Sequence, residues 1–425
     1  MENLFLKANP GEFLTTKEKE ELIERFVSSI SKDVKKILLL PPDSTRKHAG
    51  IGELIRILYS KLPDKQIEIM PALGTHSPMS TEQLIDMFGE KIPLDRYLVH
   101  NWREDTVTVG VIPGTYVSEV SEGIVTEDIE VKINYRLVSG EYDLIISVGQ
   151  VLPHAVIGMS NYSKNIFVGC GGEEMINQSH FIGGAYGLER FLGQDHSPVR
   201  KLFDYGEERF LKDIPLTYIL TANTLDIQAD TGITGMLGIF IGRERGIFEE
   251  ALKLSQENNI TYLEKPLKKV VVYLGAKFKS TWLANKAIYR TRMALADGGQ
   301  LIIIAPGLKE FGEDKGIDSI IRKYGYSGKE ATLIALENNE DLQEYRSAVG
   351  HLIRGSSDGR FEVTYACKQL SQEEIEGVNY NYMPLDEALV TYKPEKLTYG
   401  YNTLDNSEEV FFIDNPTTGL WIYEG

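Results

Sequence analysis

Cysteine is nearly missing: Cys170 and Cys367 are the two in 425 residues. They form no Cys-x-x-Cys pair, which excludes a zinc ribbon or a disulfide framework and fits a reducing cytoplasm. Long apolar runs are missing too. None approaches the roughly 18 residues of a membrane span. The first residues, MENLFLKANPGEFLTTKEKEELI, show neither the basic region nor the apolar core of a secretory signal. The expected location is therefore the cytoplasm. Positive charge is in short supply: 45 Lys and Arg against 62 Asp and Glu leave a formal −17. That balance argues against nucleic acid or a membrane surface as the main partner. It leaves room for a small anionic substrate, because a few local cations can reverse the field inside a cleft. No short repeat and no low-complexity tract is present. With 42% hydrophobic residues the chain can bury ordinary cores, and its length suits two or three domains.

What is there reads as alternating strand, polar loop and helix. Thr15 to Ser29 carries Leu22, Ile23, Phe26 and Val27 on one face, with Thr15 as N-cap and Glu18 completing a capping box. Lys36 to Leu40 is a short buried strand that runs into Pro41-Pro-Asp-Ser-Thr-Arg46, ahead of a helix from Ile51 to Leu62. There Asp43 and Arg46 either hold a hydroxyl and an anion or pair locally and cap that helix. Ile67 to Met70 is a second strand, its loop carries His76, and the next helix opens at Ser80 with Gln83 at the box position. Residues 96 to 140 look like a β-rich insertion, with strands at Tyr97–His100, Thr106–Val109 and Ile129–Ile133; His100 and His48 read as surface residues. Helices are expected over Met175–Leu192, Ser197–Leu211 and Phe248–Glu257, and a strand over Tyr218–Asn223. Gly232, Gly235, Gly238 and Gly242 punctuate an apolar run as bulges or close packing. Asn258 to Pro266 resembles a linker. A second α/β unit follows, with strands from Lys269, Gly298 and Arg360 and a helix over Thr281–Ala294. The pattern predicts two α/β domains, 1–262 and 266–404, with mainly parallel sheets, helices on both faces and the active site in the interdomain cleft. The apolar tail 405–425 is a candidate to dock back on the first domain.

One stretch stands apart. The apolar run ending at Val148 is followed by about thirty residues rich in turn formers, from Gln150 to His180, with His154 and His180 near its ends and Lys164 between them. Loops at the ends of parallel strands are where such proteins bind ligands. A lone lysine among Gly, Ser and Asn is a nucleophile or tether, or else a solvated loop residue; the histidines move protons, hold metal, or are merely solvated.

Pro41-Pro-Asp-Ser-Thr-Arg46, Gly74-Thr-His76, Pro153-His154, Lys164, His180 and Lys286, in that order and spacing, resemble the lactate racemase family of nickel-pincer nucleotide enzymes. The resemblance covers nearly the whole chain. It implies a racemase or epimerase of 2-hydroxy acids whose cofactor is a pyridinium mononucleotide with two thio-acid arms, holding nickel through sulfur, carbon and sulfur. By the same resemblance Lys164 carries one arm as a thioamide, His180 is the protein ligand to nickel, and His76 and His154 are the acid/base pair. Asp43, Arg46 and Ser160 fall to the cofactor, and Arg46, Lys286, Tyr162 and Trp282 to the substrate. Cofactor-synthesis proteins would load the chain, and a homo-oligomer is compatible with it. The chemistry agrees with these roles. The C–H of a 2-hydroxy acid is barely acidic, so hydrogen leaves as hydride while a base takes the hydroxyl proton. Return to either face asks for two bases near neutrality, and no side chain accepts hydride, so a cofactor must.

Two departures bear on the substrate. The family loop is commonly Ser-Gly-Gly-x-Lys, but here it is Ser160-Asn-Tyr-Ser-Lys164; and Leu283, beside Trp282 and Asn285, stands where the family commonly has Gln. With Tyr162, Asn161 and Asn165 as hydroxyl partners, the expected substrate is a sugar acid of the gluconate or mannonate type rather than lactate. Rival readings are a zinc lyase or hydrolase using His76, His154 and His180, and a non-enzymatic binding protein for small acids.

Overall fold

The computed structural model describes residues 3–225 and 234–424. The chain divides into two compact units, one of residues 1–176 and 193–259, the other of 177–192 and 260–425.

In the first unit a six-stranded sheet has the order Leu4–Lys7, Thr234–Gly242, Leu216–Leu225, Leu144–Gln150, Lys36–Leu40, Gln66–Ile69. The last four are mutually parallel and the first two antiparallel additions. Leu144–Gln150 is buried along its whole length, as a strand covered on both faces must be, which is why it reads as a continuous apolar run. The first helix, Thr16–Ser29, has the Thr15/Glu18 capping box and buries Leu22, Ile23 and Phe26. The helix Thr81–Phe88 has the Ser80/Gln83 box. Each such cap contributes about 1 kcal/mol. Ile51–Lys61 lays Leu54, Ile55 and Leu58 against Ile37, Leu39 and Ile146 in one core. The bulge expected among the glycines lies between Met236 and Gly238; Gly232 lies outside the described residues.

In the second unit the order is Asn381–Pro384, Phe361–Cys367, Leu295–Ile304, Leu267–Tyr273, Glu409–Ile413, Gly400–Thr403, parallel except for the last pair. This is the mixed, mainly parallel α/β architecture expected.

Several local expectations are corrected. Tyr97–His100 is not a strand: Tyr97 makes one isolated bridge to Ile69. The hairpin Thr106–Ile112 with Ile129–Asn134 does form, around an unforeseen helix, Gly114–Ser121. His100 is buried at 2% exposure, bonded to the Gly171 carbonyl and to Asn134. His48 is half-buried against Gln150. The supposed linker contains the strand Ile260–Leu263, parallel to Leu420–Tyr423. The tail thus joins the second unit, where apolar Phe411 and Phe412 also complete the sheet. The helix expected over 281–294 is two short helices, Thr281–Ala284 and Lys286–Thr291, separated at Asn285. Asn285 is fully buried and accepts from the Tyr365 and Tyr380 hydroxyls. The helix after the central loop ends at Ala185 rather than Leu192.

Candidate active site

Strand Lys36–Leu40 leads by one crossover to Gln66–Ile69 on one side, and the chain then returns to Leu144–Gln150 on the other. Open α/β sheets take ligands at such reversals, at the carboxyl ends of the neighbouring strands. The loops after all three strands carry the residues singled out by sequence.

After Lys36–Leu40, Pro41 and Pro42 keep the chain extended, paired with Ala72. Asp43 then caps the turn Ser44–Ala49, accepting from the Thr45 amide at 3.0 Å. Its other oxygen meets His76 Nδ1. The local expectation is corrected: Asp43 caps the short turn Ser44–Ala49 and not the helix Ile51–Lys61, whose N-cap is Gly50, and its hydrogen-bonded partner is His76 rather than Arg46. Arg46 Nη1 donates to the Thr45 hydroxyl at 2.8 Å. Burial raises the Asp43 pKa; the hydrogen bond and charge of His76, then Arg46 and Thr45, outweigh it and hold the carboxyl at about 2. The carboxylate is therefore ionised and accepts Nδ1–H, so in the basic form of the ring the lone pair is on Nε2. Nε2 has no partner among the described residues, and the side chain is 36% exposed, which leaves it open to an incoming hydroxyl. Gly74, at φ +57°, makes the turn that places His76, and its amide donates to Gly169 O at 2.9 Å.

The stretch after Leu144–Gln150 is not an irregular loop. Pro153–His154 pairs with Gly158–Met159 as a miniature hairpin, a wide π-helical turn covers Asn165–Gly169, and a helix runs over Glu173–Ala185. His154 is half-buried and its Nδ1 accepts from the Val156 amide at 3.2 Å. Ser160 closes the hairpin, donating to Gln150 O at 3.0 Å and accepting from Leu152 N at 2.9 Å; those bonds hold the loop, not a ligand. Asn165 Nδ2 donates to Leu40 O and to Ser147 Oγ, tying the turn to two strands.

Tyr162 corrects an expectation. Its ring is buried against Tyr218 and Phe248, with centroids 4.5 and 5.4 Å away, and its hydroxyl donates to Arg243 O. It is a core anchor and does not line a substrate pocket; an aromatic ring gains more from that burial than from solvent. Asn161 Oδ1 likewise serves the Tyr162 amide. Asn161 and Tyr162 adopt φ +68° and +57°, the left-handed conformation that glycine takes without cost.

Lys164 follows this turn, half-buried. Burial first, then the cations Arg46 and Arg200, pulls its amine down to about 7. Arg200, unnoticed in the sequence, is fully buried on helix Pro198–Phe210. The signal was faint: an arginine between Val199 and Leu202 on the face that turns inward.

The second unit carries the other three predicted residues. His180 lies in the third turn of Glu173–Ala185, not at its start; Ser179 Oγ is 3.4 Å from its Nδ1, and Arg354 donates to its carbonyl. Trp282 stacks on His351 with centroids 4.3 Å apart, and Lys286 lies 5.9 Å from the Phe278 ring centre. His351, left unassigned by sequence, is buried, meets the Tyr326 hydroxyl at 3.0 Å and is held neutral by burial and by Arg354 and His180. Among the described residues no group of three or more His, Cys, Asp or Glu is placed to hold a metal.

Residues 18–185 match the model of the lactate racemase N-terminal domain. The lactate racemase of Lactiplantibacillus plantarum is 29% identical over 150 residues, 34% of this chain and 32% of that protein. The match thus spans about a third of the relative's length. A crystal structure of a Thermotoga maritima protein superposes with a TM-score of 0.81 at 24% identity, covering 99% of this chain and 100% of that one. The lactate racemase apoprotein of Thermoanaerobacterium thermosaccharolyticum gives 0.68 at 16% identity, over 95% and 92%. At these identities the structural likeness establishes the fold.

Proposed function

We propose, because the chain belongs to the lactate racemase family through its residues 18–185, that it inverts the C2 configuration of a small 2-hydroxy acid with a tethered nickel-pincer nucleotide. The observation that carries the proposal is that the loops at the carboxyl ends of neighbouring strands hold both a carboxylate-oriented histidine and a lysine whose amine is half neutral at pH 7.

The residues fit the cofactor. A thioamide link needs an amine that is uncharged when it reacts, and Lys164 meets that requirement where an ordinary lysine would not. Arg46, one of the cations that act on Lys164, suits an anionic nucleotide. His180 offers an imidazole, a suitable donor for nickel. When bound, the nucleotide would supply the hydride acceptor that no side chain offers.

The side chains do the rest. Asp43 fixes the His76 ring and its tautomer, so Nε2 takes the hydroxyl proton and gives it back. His154 is the second base, serving the opposite face. Arg46 or Lys286 pairs with the substrate carboxylate. A hydroxy acid longer than lactate, of the gluconate or mannonate type, is the proposed substrate. With Tyr162 and Asn165 engaged elsewhere, that choice now rests on Leu283 and Trp282, both half-buried.

Cofactor-loaded protein given single epimers of gluconate, mannonate and lactate tests the reading by polarimetry and NMR. Epimerised aldonates, with the activity lost in His76→Ala, are expected. Turnover of lactate with aldonates untouched overturns the substrate choice; inversion of none overturns the reaction.

A further inference from the structure

Arg200 is an expensive residue. It is wholly buried, it has no direct carboxylate partner among the described residues, and its Nε–H has no hydrogen-bond partner among them. Burial pulls its pKa down to about 10, against the attraction of Asp204 and Asp195. Those two carboxylates are bonded to Arg245 instead, at 3.0 and 2.8 Å. A buried guanidinium held at such cost has work elsewhere.

Its hydrogen bonds say where. Nη2 donates to Met159 O at 2.8 Å and to Asn161 O at 3.2 Å, and Nη1 to Ser163 Oγ at 3.1 Å. Its plane lies 4.3 Å from the centre of the Phe248 ring, the ring on which Tyr162 also stacks. Every hydrogen bond of the Arg200 guanidinium thus falls on residues 159–163, just before Lys164, and that segment holds two successive left-handed residues that are not glycine. Such a backbone costs about 1–2 kcal/mol per residue and persists only when surroundings enforce it. Tyr162 enforces it from one side, through its ring and its bond to Arg243 O; Arg200 enforces it from the other.

We infer that Arg200 is a positioning residue for Lys164: its fork pins the turn 159–163 and so sets the place and the reactivity of the lysine amine. The inference rests on the reading of Lys164 as the cofactor's anchor for its purpose, but not for its test. The charged groups acting on the Lys164 amine are Arg46, from the turn after Lys36–Leu40, and Arg200; Asp195, Asp204 and Arg245 act on Arg200. Both effects of Arg200, its charge and its clamp on the turn, push the amine toward its neutral form.

The experiment is competitive labelling of the full chain, purified without cofactor, with a trace of acetic anhydride between pH 5 and 10. Peptide mass spectrometry reads the labelling of Lys164 against every other lysine. Half-maximal labelling of wild-type Lys164 is expected near pH 7. Arg200→Met moves that midpoint up by about one pH unit or more, with the other lysines unchanged. An Arg200→Met protein that is folded by circular dichroism and keeps the wild-type midpoint overturns the inference. Should that variant not fold, Arg200→Lys and Ser163→Ala decide. The first keeps a cation but loses the fork, the second removes one acceptor; each is expected to raise the midpoint by a smaller step, and an unmoved midpoint in both overturns the inference. Failure of the cofactor reading would show instead as an unmodified Lys164 in loaded protein, with this pH profile intact.

Discussion

A lysine kept half neutral at pH 7 is a thermodynamic liability, and removing it should stabilise the protein. The native amine titrates at about 7 and the unfolded one at 10.5. Between those values the unfolded chain binds more protons than the native one, so stability rises with pH across that window. The gap is equivalent to an upper limit of about 5 kcal/mol. Lys164 keeps partial exposure, and solvent relaxation around it reduces the expected effect to about 2 kcal/mol. Lys164→Met is nearly isosteric, cannot be charged, and leaves Arg46 and Arg200 in place. Urea unfolding of the cofactor-free chain at pH 7 should therefore show Lys164→Met more stable by about 2 kcal/mol. The difference should shrink steadily toward pH 10. A Lys164→Met protein that is less stable than wild type at pH 7, by an amount that does not change with pH, would refute the reasoning and return Lys164 to an ordinary loop residue.

Asp43→Asn should lower turnover of loaded enzyme by about 100-fold or more with little change in KM, because His76 loses the acceptor that fixes its tautomer. The same variant removes a carboxylate held at about 2; its stability contribution of about 2 kcal/mol is full above the ordinary carboxyl range and lost as pH falls through about 2, so wild type and variant should converge in acid. Tyr162→Phe should cost about 1 kcal/mol in urea unfolding and leave turnover alone, since the hydroxyl bonds Arg243 O; a large change in KM for the acid would put Tyr162 back at the substrate. His180→Ala should reduce nickel per chain, measured by mass spectrometry of desalted loaded protein, to background; unchanged nickel would remove His180 from the metal's ligands.

The legible parts of this fold are those where one residue type has one use. The Thr15/Glu18 and Ser80/Gln83 boxes name helix starts because a hydroxyl and a carboxyl or amide three residues apart satisfy each other's backbone. Lys36–Leu40 and Leu144–Gln150 read as strands because only a strand covered on both faces tolerates such a run. Asp43 and His76 were each legible as loop residues at strand ends, but their pairing depended on the parallel register of Lys36–Leu40 with Gln66–Ile69, which no local pattern carries. Tyr162 misled because a polar tip on an aromatic ring is equally at home in a pocket and in a core. The hairpin at 153–159 and the break at Asn285 were hidden for another reason: two-residue strands and a buried asparagine are made by partners far along the chain. Arg200 was hidden because buried arginines are rare and the helical pattern around it looks ordinary.

The most direct test of the account is the intact mass of the chain after co-expression with cofactor-synthesis proteins, compared with the same preparation of Lys164→Ala. A covalent mass increment on the wild-type chain, mapped to the peptide holding Lys164 and absent from the variant, is the predicted result. A chain that inverts its substrate at the bare sequence mass, or that carries the increment after Lys164→Ala, would contradict it.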